Sequence, residues 1–243
     1  MRRSGVKFRR PRVGNIVHPM TASLTSATAA QAAKKQLRKQ VTARLKQLSP
    51  EEVTSDSNAI LQRLISSPYY AHAAAISCYL STPVGEVQTD GLIRHALSEG
   101  KRIYVPYCPV ESKTEMRMLR LRDVGHWEGL KENRWGIKEV DPSEVDSLES
   151  ADDPAVSSGL DLILVPGLAF DPLRRRLGHG RGYYDRYITA CLDYPKRFDK
   201  PAPRTIALAL RAQLVREEDG EHIPTNEWDR LPEILLTPDG GIN

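Results

Sequence analysis

The sequence predicts an α/β domain in which helices cover both faces of a mostly parallel sheet. Strand-like apolar segments alternate along the chain with segments of helical periodicity, an order that is typical of parallel α/β sheets. Residues 160–167 are apolar on both faces, as expected for a central strand that helices cover. Neither a repeat nor an interdomain linker stands out in the 243 residues, so we interpret residues 31–243 as one domain.

Two helices are predicted at the start of this domain. Apolar residues recur with helical spacing over residues 31–48, which predicts the first helix. Ser49 and Glu52 then have the spacing of a capping box, with Pro50 in the first turn. The second helix should therefore begin there and end before Pro68.

The rest of the domain is predicted as alternating strands, helices and loops. We predict strands at 75–81, 103–107, 116–121, 162–165, 205–210 and 234–236, and helices at 89–98 and 183–192. The alternating pattern of residues 116–121 indicates an edge strand. Residues 138–159 are acidic and weakly patterned, so we interpret them as a mobile insertion with at most one short helix. Residues 195–203 are interpreted as a second loop.

Composition places the chain among soluble proteins of a reducing compartment. Its 40% hydrophobic and 27% charged residues are ordinary for a soluble domain, and we expect no membrane association because no apolar run approaches the length of a span. The three cysteines, Cys78, Cys108 and Cys191, are widely spaced and contain no C-x-x-C pair. We therefore interpret them as buried, inert thiols rather than as disulfides or a zinc site.

The positive charge of the chain is concentrated at its N-terminus. Six of the 35 Lys and Arg residues lie within residues 1–33, which contain no acidic residue. The rest of the chain therefore contains 29 basic and 31 acidic residues. The body is therefore nearly neutral, and a nucleic-acid-binding surface is not implied. A nucleic-acid-binding module that uses the basic tail stays open as an alternative.

The tail itself resembles a mitochondrial transit peptide. It is rich in Arg, Ser, Thr and Ala, and the first acidic residue is Glu51. Two alternatives remain: an unstructured cytosolic extension, or translation that starts at Met20. In each case we expect residues 1–30 to lack a packed structure, and the protein to be mitochondrial or cytoplasmic.

A glycine-rich segment after the strand at 162–165 is the strongest functional signal. It contains glycines at alternate positions, Gly178, Gly180 and Gly182. Without a Cβ, such residues let backbone N–H groups approach an anion closely. Arg176 and Arg181 add positive charge, and Asp185 is a hard oxygen ligand suited to Mg²⁺. The segment therefore predicts a triphosphate and metal site, although neither G-x-x-x-x-G-K-[ST] nor G-x-G-x-x-G occurs in it.

The same segment resembles a known enzyme family. The sequences P-G-L-A-F-D at 166–171 and R-L-G-H-G-R-G-Y-Y-D at 176–185 resemble the signature of the 5-formyltetrahydrofolate cyclo-ligases, also called methenyltetrahydrofolate synthetases. The resemblance covers roughly residues 31–237. It also includes residues 34–38, 79–89, 100–106, 135–137, 205–210 and 223–229. It implies a single three-layer, Rossmann-like domain with a mostly parallel sheet, related to sugar-phosphate isomerases and CoA transferases.

The resemblance implies an ATP-dependent ligase of one-carbon folate metabolism that acts on small molecules. It would convert 5-formyltetrahydrofolate into 5,10-methenyltetrahydrofolate with release of ADP and phosphate, using ATP as co-substrate and Mg²⁺ as cofactor. We expect a monomer. The alternative is a phosphosugar isomerase or acyl-transfer enzyme on a related α/β fold, which would need no ATP.

The implied nucleotide site begins on the first helix. Lys34 and Arg38 are four residues apart, so they project from one side of that helix, and they match the family's nucleotide-contacting lysine and arginine. Lys35 and Lys39 are the neighbours most easily mistaken for them. The full set of implied ATP-binding residues is Lys34, Arg38, Trp135, Arg176, Leu177, Gly178, His179, Gly180, Arg181, Gly182, Tyr183 and Tyr184.

The implied folate and metal sites share part of this set. Glu86 follows a strand end, where ligands collect in open α/β sheets, and the family match implies a carboxylate that binds the pterin ring. The implied substrate-binding residues are Leu80, Glu86, His179, Gly180, Arg181, Gly182 and Tyr183. The implied metal ligands are Asp185 and Asp229, with Glu227 as a near neighbour of the second, and the implied catalytic residues are Arg181 and Tyr183. Trp228 is interpreted as a packing residue.

Overall fold

The fold consists of seven α-helices and eleven strands within residues 20–216, 218 and 221–242, the part of the chain that the computed structural model describes. The helices are α1 (Met20–Leu45), α2 (Pro50–Ile65), α3 (Pro68–His72), α4 (Asp90–Ser98), α5 (Val124–Gly129), α6 (Tyr183–Cys191) and α7 (Tyr194–Phe198). The strands are β1 (Ala75–Ser77), β2 (Arg102–Tyr107), β3 (Arg117–Arg120), β4 (Lys131–Glu132), β5 (Lys138–Glu139), β6 (Leu162–Val165), β7 (Ala169–Phe170), β8 (Arg176–Leu177), β9 (Arg204–Leu208), β10 (Ile234–Thr237) and β11 (Gly240–Ile242).

One seven-stranded sheet forms the centre of the fold. Its strands lie in the order β11-β10-β9-β6-β1-β2-β3. The five inner strands are parallel to their neighbours, and the edge strands β3 and β11 are antiparallel. β6, the apolar strand that precedes the glycine-rich segment, is buried along its whole length. The prediction of a mostly parallel α/β sheet is therefore confirmed, as is the edge position of β3.

The strand order creates a crevice between β1 and β6. From β1 the chain continues outward to β2 on one side, whereas β6, β9 and β10 follow on the other side. Loops that leave the carboxyl ends of β1 and β6 therefore diverge, and ligands of open α/β sheets bind at such a point. The segments that follow these two strands contain Glu86 and the glycine-rich loop.

The helix boundaries near Ser49 follow from local sequence. Glu52 N donates to Ser49 Oγ at 3.2 Å, and Ser49 N donates to Glu52 Oε2 at 2.8 Å, which confirms the predicted capping box. α2 ends at Ile65, before Pro68. Pro68 then opens the short helix α3, which the sequence did not predict.

α1 begins earlier than predicted. Its first residue is Met20, so residues 20–30 are helical, whereas the sequence placed them in an irregular extension; residues 1–19 lie outside the described residues. The apolar side of α1, formed by Leu37, Val41 and Leu45, packs in a separate small core against Leu168 and Leu177. This packing seats α1 over the glycine-rich segment.

Two segments predicted as loops are more ordered than expected. Within residues 138–159, Val140, Val145 and Leu148 belong to the main core, and a bridge joins Ser150 to Leu119 of β3. The interpretation as a mobile insertion is wrong because these scattered apolar residues are buried beside the sheet edge. Residues 195–203 also begin within a helix, α7, whose first turn contains Pro195.

The helices of the described residues were also compared with the requirements of a membrane span. None of them is at once long enough and apolar enough to cross a bilayer.

Candidate active site

A short hairpin presents the glycine-rich loop. β7 pairs with β8 in an antiparallel manner directly after β6. The buried carboxylate of Asp171 stabilises the turn, because its Oδ1 accepts hydrogen bonds from Leu173 N and Arg175 N, both at 3.0 Å. Its Oδ2 accepts a further bond from Arg175 Nε at 2.5 Å. The turn therefore fixes where residues 176–182 leave the sheet.

Two glycines of the loop have backbone conformations that favour glycine. Gly180 has a φ of +103° and Gly182 a φ of +66°. Residues with a side chain rarely adopt such positive φ angles. A Cβ on Gly180 would also lie 3.5 Å from the guanidinium carbon of Arg38. Gly182 is the N-cap residue of α6, so the loop leads directly into a helix N-terminus.

The two predicted cations of α1 face this loop. Arg38 Nε donates to Gly178 O at 2.8 Å, and Lys34 Nζ lies 2.6 Å from Asp229 Oδ2. Lys35 and Lys39 are exposed on the other side of the helix. Partial burial lowers the pKa of Arg38, and the nearby charge of Asp229 opposes that shift. Lys34 and Arg38 therefore contact other parts of the protein, and their role toward a nucleotide stays a prediction.

Arg176 lies beneath the loop rather than at its surface. Its side chain is only 6% exposed, and its Nη2 is 2.7 Å from Asp185 Oδ1. Its Nη1 donates to Pro166 O at 3.2 Å. Arg176 therefore ties the end of β6 to the start of α6, and its charge is balanced within the protein.

The two predicted metal ligands lie together. Arg230 N donates to Asp185 Oδ1 at 3.0 Å, and Arg230 directly follows Asp229. Asn226 N donates to Asp229 Oδ2 at 2.8 Å. Within the described residues no N–H of α6 donates to the carboxylate of Asp185, so this carboxylate does not cap the helix. Glu227 is exposed and has no polar partner among the residues that the structure describes.

The chemistry of these carboxylates fits a cation that binds together with phosphate. Asp185 Oδ2 and Asp229 Oδ1 accept no hydrogen bond from the residues that the structure describes, which leaves one oxygen of each available. Those residues contain no group of three or more His, Cys, Asp or Glu side chains that could hold a metal. Two carboxylates with phosphate and water oxygens are the usual environment of Mg²⁺.

A cavity of about 400 Å³ lies next to the loop. It is lined by Thr42, Leu45, Lys46, Thr82, Pro83, Val84, Gly85, Glu86, Trp135, Leu168 and His179. The buried carboxylate of Glu86 accepts a hydrogen bond from Thr82 N at 3.1 Å, and His179 Nε2 is 3.6 Å from its other oxygen. Three predicted site residues, Glu86, Trp135 and His179, therefore share one cavity.

The three tryptophans have different environments. Trp135 is 60% exposed at the cavity, with the Arg134 guanidinium 4.0 Å from its ring centroid. Trp127 is buried in the main core. Trp228 is 71% exposed, so the interpretation of Trp228 as a packing residue is wrong.

The other predicted site residues line or support this region. Leu80 belongs to the main core and borders a second cavity of about 210 Å³. Leu177 is buried in β8. Arg181 is exposed, and Tyr183 is partly buried at the start of α6. Burial raises the pKa of Tyr184 well above its usual range, and its hydroxyl has no hydrogen-bond partner in the described chain.

Sequence reasoning missed Arg186 and Arg230, which form hydrogen bonds with the glycine-rich loop and with α6. Arg186 Nη2 donates to Arg181 O at 2.5 Å, and Arg186 Nε donates to Thr114 O at 3.1 Å. Arg230 docks on α6 through Asp185 and Thr189. A basic residue four positions after Gly182 was the only available signal for Arg186, and no local pattern marks the contact of Arg230.

Comparison with known proteins identifies the family. Residues 30–238 match the 5-formyltetrahydrofolate cyclo-ligase family. The chain is 34% identical to 5-formyltetrahydrofolate cyclo-ligase of Mus musculus over 211 residues, which cover 86% of this chain and 96% of the mouse protein. It is 32% identical to the mitochondrial 5-formyltetrahydrofolate cyclo-ligase of Arabidopsis thaliana, over 86% of this chain and 75% of the plant protein.

A solved structure agrees with these matches. The Aquifex aeolicus 5,10-methenyltetrahydrofolate synthetase superposes with a TM-score of 0.61 and 28% identity, over 86% of this chain and 91% of that chain. Residues 30–238, which match the family, include every predicted site residue, from Lys34 to Asp229. The chain therefore belongs to the 5-formyltetrahydrofolate cyclo-ligase family.

Proposed function

We propose that this chain catalyses the ATP-dependent cyclisation of 5-formyltetrahydrofolate to 5,10-methenyltetrahydrofolate, with release of ADP and phosphate. One observation carries the proposal beyond family membership. A glycine-rich loop, two inward-facing cations of α1 and two adjacent carboxylates lie at one end of the β1–β6 crevice, next to the cavity that contains Glu86. A nucleoside triphosphate and the flat ring of a second substrate would fit side by side in this arrangement.

The reaction needs alignment and charge stabilisation more than covalent catalysis. The formyl oxygen attacks the γ-phosphorus of ATP while the bond to the leaving ADP oxygen breaks, which gives an imidate phosphate. N10 of the folate then adds to the formyl carbon and releases its proton to solvent, and phosphate leaves with the former formyl oxygen. Negative charge spreads over the transferring group in the first step, so fixed cations and backbone donors are the effective catalysts.

The nucleotide would lie along the glycine-rich loop. Arg38 already braces the loop through Gly178 O, and Arg181 lies exposed between Gly180 and Gly182, where its guanidinium could bind phosphate oxygens. The N–H groups at the start of α6 supply further donors. We assign Arg181 and Tyr183 as the residues nearest the transferred phosphoryl group.

Magnesium would be held by Asp185 and Asp229 together with phosphate oxygens. When bound, it would neutralise negative charge on the phosphates. Lys34 and Arg176 balance the two carboxylates in its absence.

The folate would occupy the cavity beside His179. Glu86 is the buried acceptor there and can bind N–H groups of the pterin ring. Trp135 presents an exposed indole for stacking. A volume of about 400 Å³ suits a small-molecule site. We also assign to the folate Leu80, which borders the second cavity, and Tyr183, at the start of α6.

We also propose a monomer that acts on these small molecules in mitochondria or the cytoplasm. The acid-free, arginine-containing sequence of residues 1–33 favours the mitochondrion, as does the name of the Arabidopsis relative. Fractionation of cells that express the full chain, with N-terminal sequencing of the recovered protein, would test both the location and any cleavage.

Product formation by the full-length protein tests the function. With 5-formyltetrahydrofolate, ATP and Mg²⁺, methenyltetrahydrofolate and ADP should appear in equal amounts, and omission of ATP should abolish both. Tight binding of the folate without ATP-dependent product would refute the ligase assignment. Turnover of a sugar phosphate or an acyl donor without ATP would favour the alternative enzyme classes.

A further inference from the structure

We propose that Thr189 and Arg230 are positioning residues that clamp the segment 226–230 onto α6 and so hold Asp185 and Asp229 in register. The inference rests on the proposed function, because the two carboxylates matter as ligands of a magnesium–nucleotide complex. Neither Thr189 nor Arg230 belongs to the residues that the family signature assigns to the site.

The clamp consists of three hydrogen bonds. Arg230 N donates to Asp185 Oδ1 at 3.0 Å, and Arg230 Nε donates to Thr189 Oγ1 at 2.8 Å. Thr189 Oγ1 in turn donates to Asp185 O at 2.6 Å. Asp185 and Thr189 are one helical turn apart and therefore lie on the same side of α6. Backbone and side chain of Arg230 are thus both bound to one helix.

The contact requires a hydroxyl at position 189. A hydroxyl has one hydrogen to donate and lone pairs to accept with. Here the hydrogen is used by the carbonyl of Asp185, a bond that serines and threonines commonly form within helices. This orients the oxygen to accept from Arg230 Nε. Serine could replace threonine in this role, whereas valine has the same shape but cannot form either bond.

Apart from the ion pair of Lys34 with Asp229, few contacts fix the clamped segment. Residues 221–233 contain no helix or strand, and the large apolar side chains nearest the clamp, Trp228 and Leu231, are exposed. The hydrogen bonds of Asn226 are local. Its Oδ1 accepts from Trp228 N, its carbonyl accepts from Asp229 N, and its N–H donates to Asp229 Oδ2. Lys34 ties Asp229 to α1, whereas the contacts of this segment with α6 are those of Arg230.

The clamp joins two ion pairs that come from distant parts of the chain. Lys34 of α1 binds Asp229, and Arg176 of β8 binds Asp185. Arg230 connects them, because it directly follows Asp229 and donates to Asp185. Loss of the clamp should loosen the spacing of the carboxylates while each ion pair stays intact. The folate cavity has no lining residue from segment 226–230, so it should be unaffected.

Thr189→Val in the full chain tests the clamp, with Thr189→Ser as the rescue and Thr54→Val as the matched control. Thr54 is an exposed residue of α2 whose side chain has no hydrogen bond to the described residues. We expect the KM for MgATP and the calorimetric Kd for MgADP to rise about three- to tenfold in Thr189→Val, as for loss of one hydrogen bond. The KM for the folate and the melting temperature should match the wild type, and Thr189→Ser should restore nucleotide binding.

A second variant separates the clamp from a general effect of position 189. Arg230→Met removes the side-chain donor but keeps the backbone N–H, and we expect it to weaken MgADP binding to the same extent as Thr189→Val. The double variant should be no weaker than either single variant, because both remove one contact. Additive losses, or wild-type MgADP binding in Thr189→Val, would overturn the clamp. An inactive wild-type protein would instead refute the proposed function.

Discussion

Lys34 Nζ lies 2.6 Å from Asp229 Oδ2, although 195 positions separate the two residues along the chain. This ion pair connects the first helix of the domain to the segment that precedes β10. Both partners match the family's pattern, one as a nucleotide contact and the other as a metal ligand. Their contact means that each neutralises the other when the site contains no nucleotide.

Lys34→Ala should weaken nucleotide binding, whereas Lys35→Ala should not. Lys34 is partly buried and faces Asp229, whereas Lys35 is exposed one position along the helix. We expect the Kd for MgADP to rise about tenfold in Lys34→Ala, which corresponds to roughly 1.4 kcal/mol. Calorimetric titration of both variants measures this difference. Equal affinities of the two variants would contradict a role of Lys34 at the phosphates.

Arg181→Ala should reduce activity far more than Arg174→Ala. Arg181 lies within the glycine-rich loop and binds no described residue through its guanidinium, so it is available for phosphate. Arg174 lies in the turn between β7 and β8 and binds the carbonyl of Glu233. We expect kcat/KM to fall on the order of 10²-fold for Arg181→Ala, as for loss of one stabilising donor.

Arg174→Ala serves as the control for that comparison. The side chain of Arg174 has a protein partner, so a small decrease in stability is expected. Its kcat/KM should nevertheless stay near that of the wild type. Similar losses of kcat/KM in the two variants would argue that the glycine-rich loop is not the phosphate site.

Asp185→Asn should lower both the rate and the stability. An amide keeps the size of the side chain but removes the negative charge that a magnesium ion needs. It also removes the carboxylate partner of the buried Arg176, so the free energy of unfolding should fall by about 1–3 kcal/mol. Added Mg²⁺ should restore part of the rate.

Rate and stability measured together distinguish the roles of Asp185. Assays at several Mg²⁺ concentrations, well below the melting temperature, remove the contribution of unfolding. A destabilised Asp185→Asn protein that keeps the wild-type rate would confine Asp185 to the ion pair with Arg176.

The three thiols should react at different rates with a thiol reagent. Burial raises the pKa of Cys78 and of Cys191 to about 12, and raises that of Cys108 to about 11. Cys108 is nevertheless exposed, so the interpretation of all three thiols as buried is wrong for this residue. Because it is exposed, Cys108 should react before the other two thiols. Because only the thiolate reacts, its reaction should be slow at neutral pH.

The pH dependence follows from the direction of these shifts. Because the pKa of Cys108 is raised, its thiolate fraction stays small at neutral pH and should increase about tenfold for each pH unit up to its pKa. Mass spectrometry after mild labelling identifies the site, and denaturant should expose all three thiols. Faster labelling of Cys78 or Cys191 than of Cys108 in the native protein would contradict the burial pattern.

Features with a local cause could be predicted from the sequence. The capping box of Ser49 and Glu52 involves neighbours in one helical turn, and its geometry appears as predicted. The apolar segment of β6 indicates burial on both faces wherever the strand lies in the sheet. The glycines before α6 mark backbone conformations with positive φ. Each of these signals needs only adjacent residues.

Features that depend on distant partners could not be predicted in the same way. The apolar residues of 138–159 are scattered, and only the edge of the sheet, at β3, makes them part of the core. The exposure of Trp228 and Cys108 likewise depends on what packs nearby. Sequence composition alone favoured burial in both cases.

By itself the sequence determined the α/β alternation, the glycine-rich loop, the cations of α1 and, through its resemblance to a family, the identity of the candidate site residues. The tertiary structure decided how these residues are paired. It placed Arg176 beneath the loop with Asp185, brought Lys34 to Asp229, and used Arg230 to join the two carboxylates. The physical reason is that backbone propensities and caps act within a few residues, whereas ion pairs and buried contacts depend on the arrangement of the whole sheet.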